Sequence, residues 1–281
     1  MPDLERAEAL PRPFPRFRQP PWDRWWILFG VVVALVILMA LTRPDPYARI
    51  IRYMGDGVEV TVGVTAVSYV LILIVGLIAG LGRISKHWAI RGIASVYVEV
   101  VRGIPLLVQL LFIYYASPVV LQSFGRYLMA NVPSFGALGQ SLSTITINPF
   151  VGAVFGLTFC YGAYVGEIYR AGIESIPKGQ MEAARSLGMS YFQSMRYVIL
   201  PQAIRVILPP LGNEFTALLK DSSLVSVVAV ADMTRRGREF MSTNFIPLET
   251  WTMVALLYLV LTVFSARIVS YIERKTAHAR Q

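Results

Sequence analysis

Ionisable side chains are scarce in this sequence. Asp, Glu, Lys and Arg make up 15% of its 281 residues, against 55% apolar ones. A soluble domain carries about 25% charged residues, so that class is excluded and an integral membrane protein is expected. Cysteine is nearly absent too: Cys160 stands alone in an apolar run, which rules out an internal disulfide and reads as packing. With only two histidines, His87 and His278, there is no ligand set for a His-based site, and no metal is expected. Both histidines fall in segments expected to be cytoplasmic, and Cys160 has no partner nearby in sequence. That leaves no nucleophile and base for a membrane-embedded hydrolase, and no catalytic residue is assigned. A phosphate loop of the form G-x-x-x-x-G-K-S/T is missing as well, so no ATP-binding motif is carried by this chain.

What the sequence has in quantity is apolar length. Residues 26–41, 60–81, 104–121 and 250–266 each approach the roughly 20 helical residues that cross a bilayer core. A fifth span fits residues 149–166. A sixth, residues 203–219, is weaker because it contains Arg205, Pro209, Pro210 and Glu214. Six spans put both termini on one side. That side would hold seventeen of the 26 Lys and Arg residues and the other side eight, so both termini are expected in the cytoplasm. Arg235, Arg236 and Arg238 run against this bias. Because the charges are distributed by side, the net +9 reports membrane topology rather than nucleic-acid binding. The stretch LMALTRPDP after the first span lacks a small-x-small cleavage site, so that span is expected to be retained.

Residues 1–24, with PRPFPRFRQPP, form a Pro- and Arg-rich arm expected to lie against anionic membrane lipid. Residues 25–56 would hold the first span and an interfacial elbow. There Pro44 and Pro46 stop the helix, residues 47–54 form a short helix, and Gly55 and Gly57 turn it into the next span. Residues 57–275 form the main core and 276–281 a cytoplasmic tail. Between 117 and 147 the only charge is Arg126, which suits a loop on the outer surface with room for a short helix. In the sixth span, Pro209, Pro210 and Gly212 predict a broken helix with Asn213 and Glu214 near mid-membrane. Proline frees carbonyls that need other partners or a cavity. An ionisable group at that depth costs several kcal/mol unless paired or wetted. A broken helix lining a pathway is expected; a kinked structural helix whose Glu214 pairs with a neighbour is the alternative.

The polar stretch between the fifth and sixth spans has its own pattern. Glu167–Arg170 and Arg170–Glu174 are spaced for helical ion pairs, as is Glu99–Arg102 on an earlier segment, and these are expected to act as structural locks. Pro177 ends that helix, residues 178–187 resume helical spacing, and Gly188 suits the left-handed residue that closes a helix. Ser190 then suits the N-cap of a second helix, with Phe192, Met195, Tyr197 and Ile199 offered for burial. A helix–turn–helix at the cytoplasmic face follows. Membrane spans bound it closely, which argues against a DNA-binding role.

The run EAARSLGMSYFQSMRYVILPQA resembles the Glu-Ala-Ala, three residues, Gly, about nine residues, Ile-x-Leu-Pro pattern of bacterial ATP-binding-cassette import permeases. Gly188 is the glycine of that pattern and Ile199-Leu200-Pro201 closes it, here after ten residues. The blocks VEVVRGIPLLVQLLFIYY, GAYVGEIYRAGIESIPKGQ and PPLGNEFTALLKDSSLVSV are similar to the polar amino-acid branch, and the resemblance covers residues 57–275. The first span and the long outer loop depart from it. The resemblance implies an all-α integral membrane protein of the type I importer fold, with about six transmembrane helices and a cytoplasmic coupling helix over residues 178–188. Gln180, Glu182, Ala183, Ala184, Leu187 and Gly188 would dock that helix onto a separate ATP-binding subunit. Asn213 and Glu214 would hold substrate, with Gln109, Thr158 and Tyr161 as further contacts, and Lys220, Asp221 and Ser222 at the outer end would form a gate or a structural pairing. Implied partners are a pair of ATP-binding subunits that hold ATP and Mg, a periplasmic amino-acid-binding protein, and a second permease, identical or sister; no cofactor is expected in the chain itself. A bacterial inner membrane is implied. The alternative is a self-contained secondary carrier or channel, which would use a broken helix equally well but leaves the helix–turn–helix idle and lacks an inverted repeat.

Overall fold

The computed structural model describes residues 24–278, and among these the regular structure is helical, with no strand. The arm, apart from Arg24, and residues 279–281 of the tail lie outside the described residues. Twelve α-helices follow in order: α1 Arg24–Thr42, α2 Pro44–Arg83, α3 Trp88–Gly103, α4 Leu106–Leu111, α5 Ser117–Asn131, α6 Gly136–Ser143, α7 Pro149–Glu174, α8 Lys178–Ser186, α9 Tyr191–Ser194, α10 Leu200–Asp221, α11 Met233–Asn244 and α12 Pro247–His278. Among the described residues, five stretches are long and apolar enough to cross a membrane: Trp25–Thr42, Pro44–Arg83, Leu106–Asn131, Pro149–Glu174 and Pro247–Glu273. The third of these joins α4 to α5 through a π-helical turn, Phe112–Ala116.

The centre of the bundle is the contact between α2 and α7, and glycine makes it possible. A Cβ added at Gly76 would stand 2.5 Å from Val165 Cγ1, and one at Gly80 would stand 2.7 Å from the Gly166 carbonyl oxygen. Small residues at such positions let two helix backbones approach where lipid gives no hydrophobic drive. Gly76 meets Val165 while Gly80 meets Tyr169 and Arg170, so the two helices run parallel. Val64, Ile72, Leu157, Val165, Ala203, Ile207 and Leu218 fill the core that α2, α7 and α10 share. On the other flank, α1 and α12 pack with the first turns of α2 and with α11 around Ile50, Met54, Met233, Phe240 and Met253.

Three expectations need correction, and one element was not anticipated. The elbow does not turn at Gly55 and Gly57: α2 runs unbroken from Pro44–Arg83 into the membrane span beyond its kinked first residues. Gly57 serves close packing instead, since its Cβ would lie 3.0 Å from the Met233 backbone, and the Met233 N–H donates to Thr61 Oγ1 at 3.1 Å. The third span does not end near residue 121. It continues through α5, and α6 folds back on it with Gly125 facing Gly139, so the supposed outer loop is a helical hairpin. Between the second and third spans stands a further amphipathic helix, α3, which breaks at Gly103 because Pro105 pushes Ile104 into extended backbone (φ −110°, ψ 135°). Finally, α10 is continuous through Pro209 and Pro210 rather than broken. The two prolines remove N–H donors to the carbonyls of Arg205 and Val206, yet the helix path carries on.

At the end of the bundle that holds α8 and α9, Arg83 joins three helices. Its guanidinium donates to Glu167 at 2.6 Å and to Glu99 at 3.2 Å, while Arg170 bonds both Glu167 and Glu174. The expected Glu99–Arg102 pair does not form, because Glu99 turns to Arg83 and Arg102 lies 5.5 Å over the Tyr164 ring. At the opposite end, Asp232 caps α11, accepting from the N–H groups of Thr234 and Arg235.

Candidate functional site

The helix–turn–helix is built as its residues demand. Gly188 sits at φ +82° after α8; its N–H donates to the Arg185 carbonyl at 3.0 Å and the Met189 N–H to the Ala184 carbonyl at 3.2 Å. This pair of bonds is the Schellman closure that a left-handed residue permits. Ser190 then caps α9 with a reciprocal box: its Oγ accepts from the Gln193 N–H at 3.2 Å, and Gln193 Oε1 accepts from the Ser190 N–H at 2.8 Å. The sharp turn throws side chains outward. Ala184 is buried beneath the turn, while Gln180, Glu182, Ala183 and Gly188 are exposed. Of the four residues offered for burial, Ile199 is buried and Met195 half-buried. Phe192 is 71% exposed and Tyr197 64%, and with Leu187 at 83% and Tyr191 they leave an apolar and aromatic surface uncovered at this end. Phe192 precedes a π-helical turn, Met195–Ile199, and Tyr197 lies within it, about 140° round the helix from Phe192 by regular helical spacing.

A second set of polar side chains gathers halfway along α7. Tyr161 is twelve residues from Pro149 and thirteen from Glu174, about 18–20 Å from either end. Its hydroxyl donates to Asp221 Oδ2 at 2.7 Å. Asp221 therefore stands at mid-helix rather than at the outer end, because α10 stops there and a 3-10 run, Ser222–Val228, takes over. Glu214 lies seven residues before Asp221, on the same face of α10, and is half-buried. Asn213 is exposed and about 100° round the helix from Glu214. Lys220 is exposed, and buried Ser222 donates to the Leu219 carbonyl at 2.8 Å.

Two hydroxyls complete the region. Thr158, one turn from Tyr161, is buried and its Oγ1 has no hydrogen-bond partner. Ser68 on α2 is likewise buried and unpartnered, and the parallel register carries it to the level of Leu157 and Thr158. Sequence reading missed Ser68. The signal was the spacing Thr61, Thr65, Ser68, of which the first two return their hydroxyls to carbonyls four residues back at 2.8 and 2.7 Å. Gln109 is buried and fully engaged: its amide donates to the Val101 and Ile104 carbonyls at 2.7 and 2.8 Å, and its oxygen faces the Cys160 thiol at 2.9 Å. It ties down the break before Pro105. Two carboxylates on one helix face, a phenol and free hydroxyls form an acceptor-rich site between helices. Such a site suits a ligand with a cationic group. Among the described residues no cluster of three His, Cys, Asp or Glu side chains is placed to hold a metal.

Bilayer-length helices, an exposed helix–turn–helix at one end and an acidic site between helices define a membrane transport subunit. The chain belongs to the family described as the binding-protein-dependent transport system inner membrane component, which matches residues 72–278. It is 37% identical over 220 residues to the glutamine transport system permease protein of Escherichia coli (strain K12), covering 78% of this chain and 91% of that one. It is 36% identical over 230 residues to the L-cystine transport system permease protein of Bacillus subtilis (strain 168), covering 79% and 88%. Among solved structures, a crystal structure of an amino acid ABC transporter with histidines aligns at TM-score 0.68 and 38% identity, over 81% of this chain and 96% of that one. An inward-facing methionine ABC transporter shares the fold at TM-score 0.62 and 20% identity, over 81% and 98%. The chain is thus an inner-membrane permease subunit of an ABC importer, with the type I importer fold. In this family the ATPase is a separate subunit and transport depends on a binding protein.

Proposed function

We propose that the chain passes polar amino acids from a periplasmic binding protein to the cytoplasm, driven by a separate pair of ATP-binding subunits that hold ATP and Mg. The α8 end faces the cytoplasm in this reading, with both termini on that side, as the distribution of Lys and Arg supports. Leu187, Gly188, Tyr191 and Phe192 then form the surface that docks on an ATP-binding subunit, with Gln180, Glu182 and Ala183 flanking it. ATP-driven approach of the two subunits moves this turn and, through Arg83, Glu167 and Arg170, the ends of α2, α3 and α7 as one body. A second permease, identical or sister, supplies the other half of the pathway.

The observation that carries the substrate class is the junction of Asp221, Tyr161 and Glu214 halfway along α7. Glu214 takes the ammonium group, Asp221 and Tyr161 form the floor, and Thr158 offers a free hydroxyl to the carboxylate. Gln109 stays with the helix break, and Asn213, Lys220 and Ser222 lie off this face. The test is uptake of labelled glutamine, histidine, arginine and cystine into proteoliposomes holding the purified complex. Uptake of at least one of them should require both enclosed ATP and the binding protein. Uptake driven by an ion gradient alone would favour a secondary carrier.

A further inference from the structure

We propose that the cavity between the first turns of α2 and α11 binds the phosphodiester of an anionic membrane lipid. The cavity is open, about 510 Å³, and is lined by Arg49, Arg52, Tyr53, Asp56 and Arg236. The inference rests on the proposed sidedness only for the leaflet: with the α8 end cytoplasmic, the lipid belongs to the periplasmic leaflet.

Arg49, Arg52, Tyr53 and Asp56 recur at the spacing of one helix face, while Ile50, Met54 and Gly57, about 100° round the helix, are buried against α11 and α12. Arg236 enters from α11. It is the fixed cation of the set, donating to Asp56 and to Glu239 at 2.9 Å and lying 5.9 Å over the Tyr53 ring. Its charge is answered by those carboxylates. Arg49 and Arg52 are not answered in the same way. Arg49 reaches Asp45 at 3.2 Å in a pair that is 52% and 74% exposed, and such pairs hold little; its guanidinium lies 5.5 Å over the Phe240 ring. Arg52 has no carboxylate partner among the described residues. The lining itself thus holds three guanidinium groups and one aspartate; Glu239 and the exposed Asp45 answer Arg236 and Arg49 from outside it, and Arg52 is left as the cation to be matched.

The chemistry of guanidinium forks matches phosphodiester oxygens. The position points to a lipid as the source. Val36 and Met39, in the last two turns of α1, pack into the same cluster as Ile50, Met54 and Phe240. Leu38 and Leu41 beside them are 57% and 73% exposed, as lipid-facing residues are. The cavity therefore lies at the height where a membrane-crossing helix ends, where headgroups and interfacial tyrosines are found. A lipid phosphate also accounts for arginines on the side that the charge bias would leave poor in them.

The test is native mass spectrometry of the purified importer complex, counting phosphatidylglycerol retained by the wild type, by Arg49→Ala/Arg52→Ala and by Arg126→Ala as a surface control. Wild type and control should keep the lipid, and the double variant should hold it about tenfold less well. Arg52 has no internal partner to lose, so Arg52→Ala alone, expected to show a weaker loss, keeps the test decisive if the double variant fails to assemble. Equal retention in all forms would overturn the proposal. Displacement of phosphatidylglycerol by inorganic phosphate at millimolar levels would overturn it in favour of a free-anion site. Unchanged retention with lost stimulation by the binding protein would assign the arginines to an acidic protein surface instead. Lipid counting does not depend on transport, so failure of amino-acid uptake would weaken the function proposed above and leave this result standing.

Discussion

Gly188→Asp should abolish uptake, by about a hundredfold or more, while membrane insertion and thermal stability change little. The structural damage is small. No atom other than its chain neighbours lies within 4 Å of a Cβ placed at Gly188, and the residue is exposed. The remaining cost is the left-handed backbone at φ +82°, about 1–2 kcal/mol for a residue with a side chain, and aspartate is among the residues that tolerate it best. The functional damage is of another order. The turn is the tip of a surface formed by Leu187, Tyr191 and Phe192, and docking would bury it. An unpaired carboxylate buried at such a contact costs about 3–5 kcal/mol, enough to detach the ATP-binding subunit. Uptake assays beside detergent-solubilised melting curves separate the two effects. A variant that still transports at near wild-type rate would show that the turn is not the docking surface.

Glu214→Gln should lower uptake at limiting substrate by about tenfold or more, with the fold and the basal ATP hydrolysis of the complex unchanged. Glutamine has the same shape, and Glu214 makes no hydrogen bond or ion pair among the described residues, so no internal bond of that kind is broken. What is lost is a negative charge on the face of α10 that also presents Asp221. A charge-assisted hydrogen bond to an ammonium is worth about 1.5–3 kcal/mol, and its loss should appear as a raised KM for uptake. Concentration series on the wild type and the variant check this. An unchanged KM would move the ammonium site away from Glu214.

The sequence was most legible where a residue admits one conformation. Gly188 followed by Ser190 dictated a left-handed closure and a cap, and both are present. The bilayer-length helices were legible because apolar length has few other uses. Where a residue admits two uses, reading failed. Gly57 fits a turn or a close contact, and only the arrival of Met233 decides between them. Pro209 and Pro210 fit a break or a tolerated interruption; α10 is continuous through them, packed closely on either side where Ile207 meets Gly172 and Gly212 meets Val269. Pro105, by contrast, does break a helix, with Gln109 satisfying the carbonyls left behind. The site was half legible. Glu214, Tyr161 and Thr158 stood out as polar groups in apolar spans, but the pairing of Tyr161 with Asp221, 60 residues apart, depends on where α10 ends.

In the proposed function the polar helix–turn–helix is the handle by which ATP hydrolysis elsewhere moves this membrane subunit. Gentle purification of wild type and Gly188→Asp from the native membrane, with each co-purifying chain identified by mass, tests that most directly. An ATP-binding subunit should accompany the wild type in fixed ratio and be missing from the variant, and a sister permease, if there is one, should remain with both. Recovery of the wild-type chain alone, in stable form and still transporting, would contradict it and make the protein a self-contained carrier.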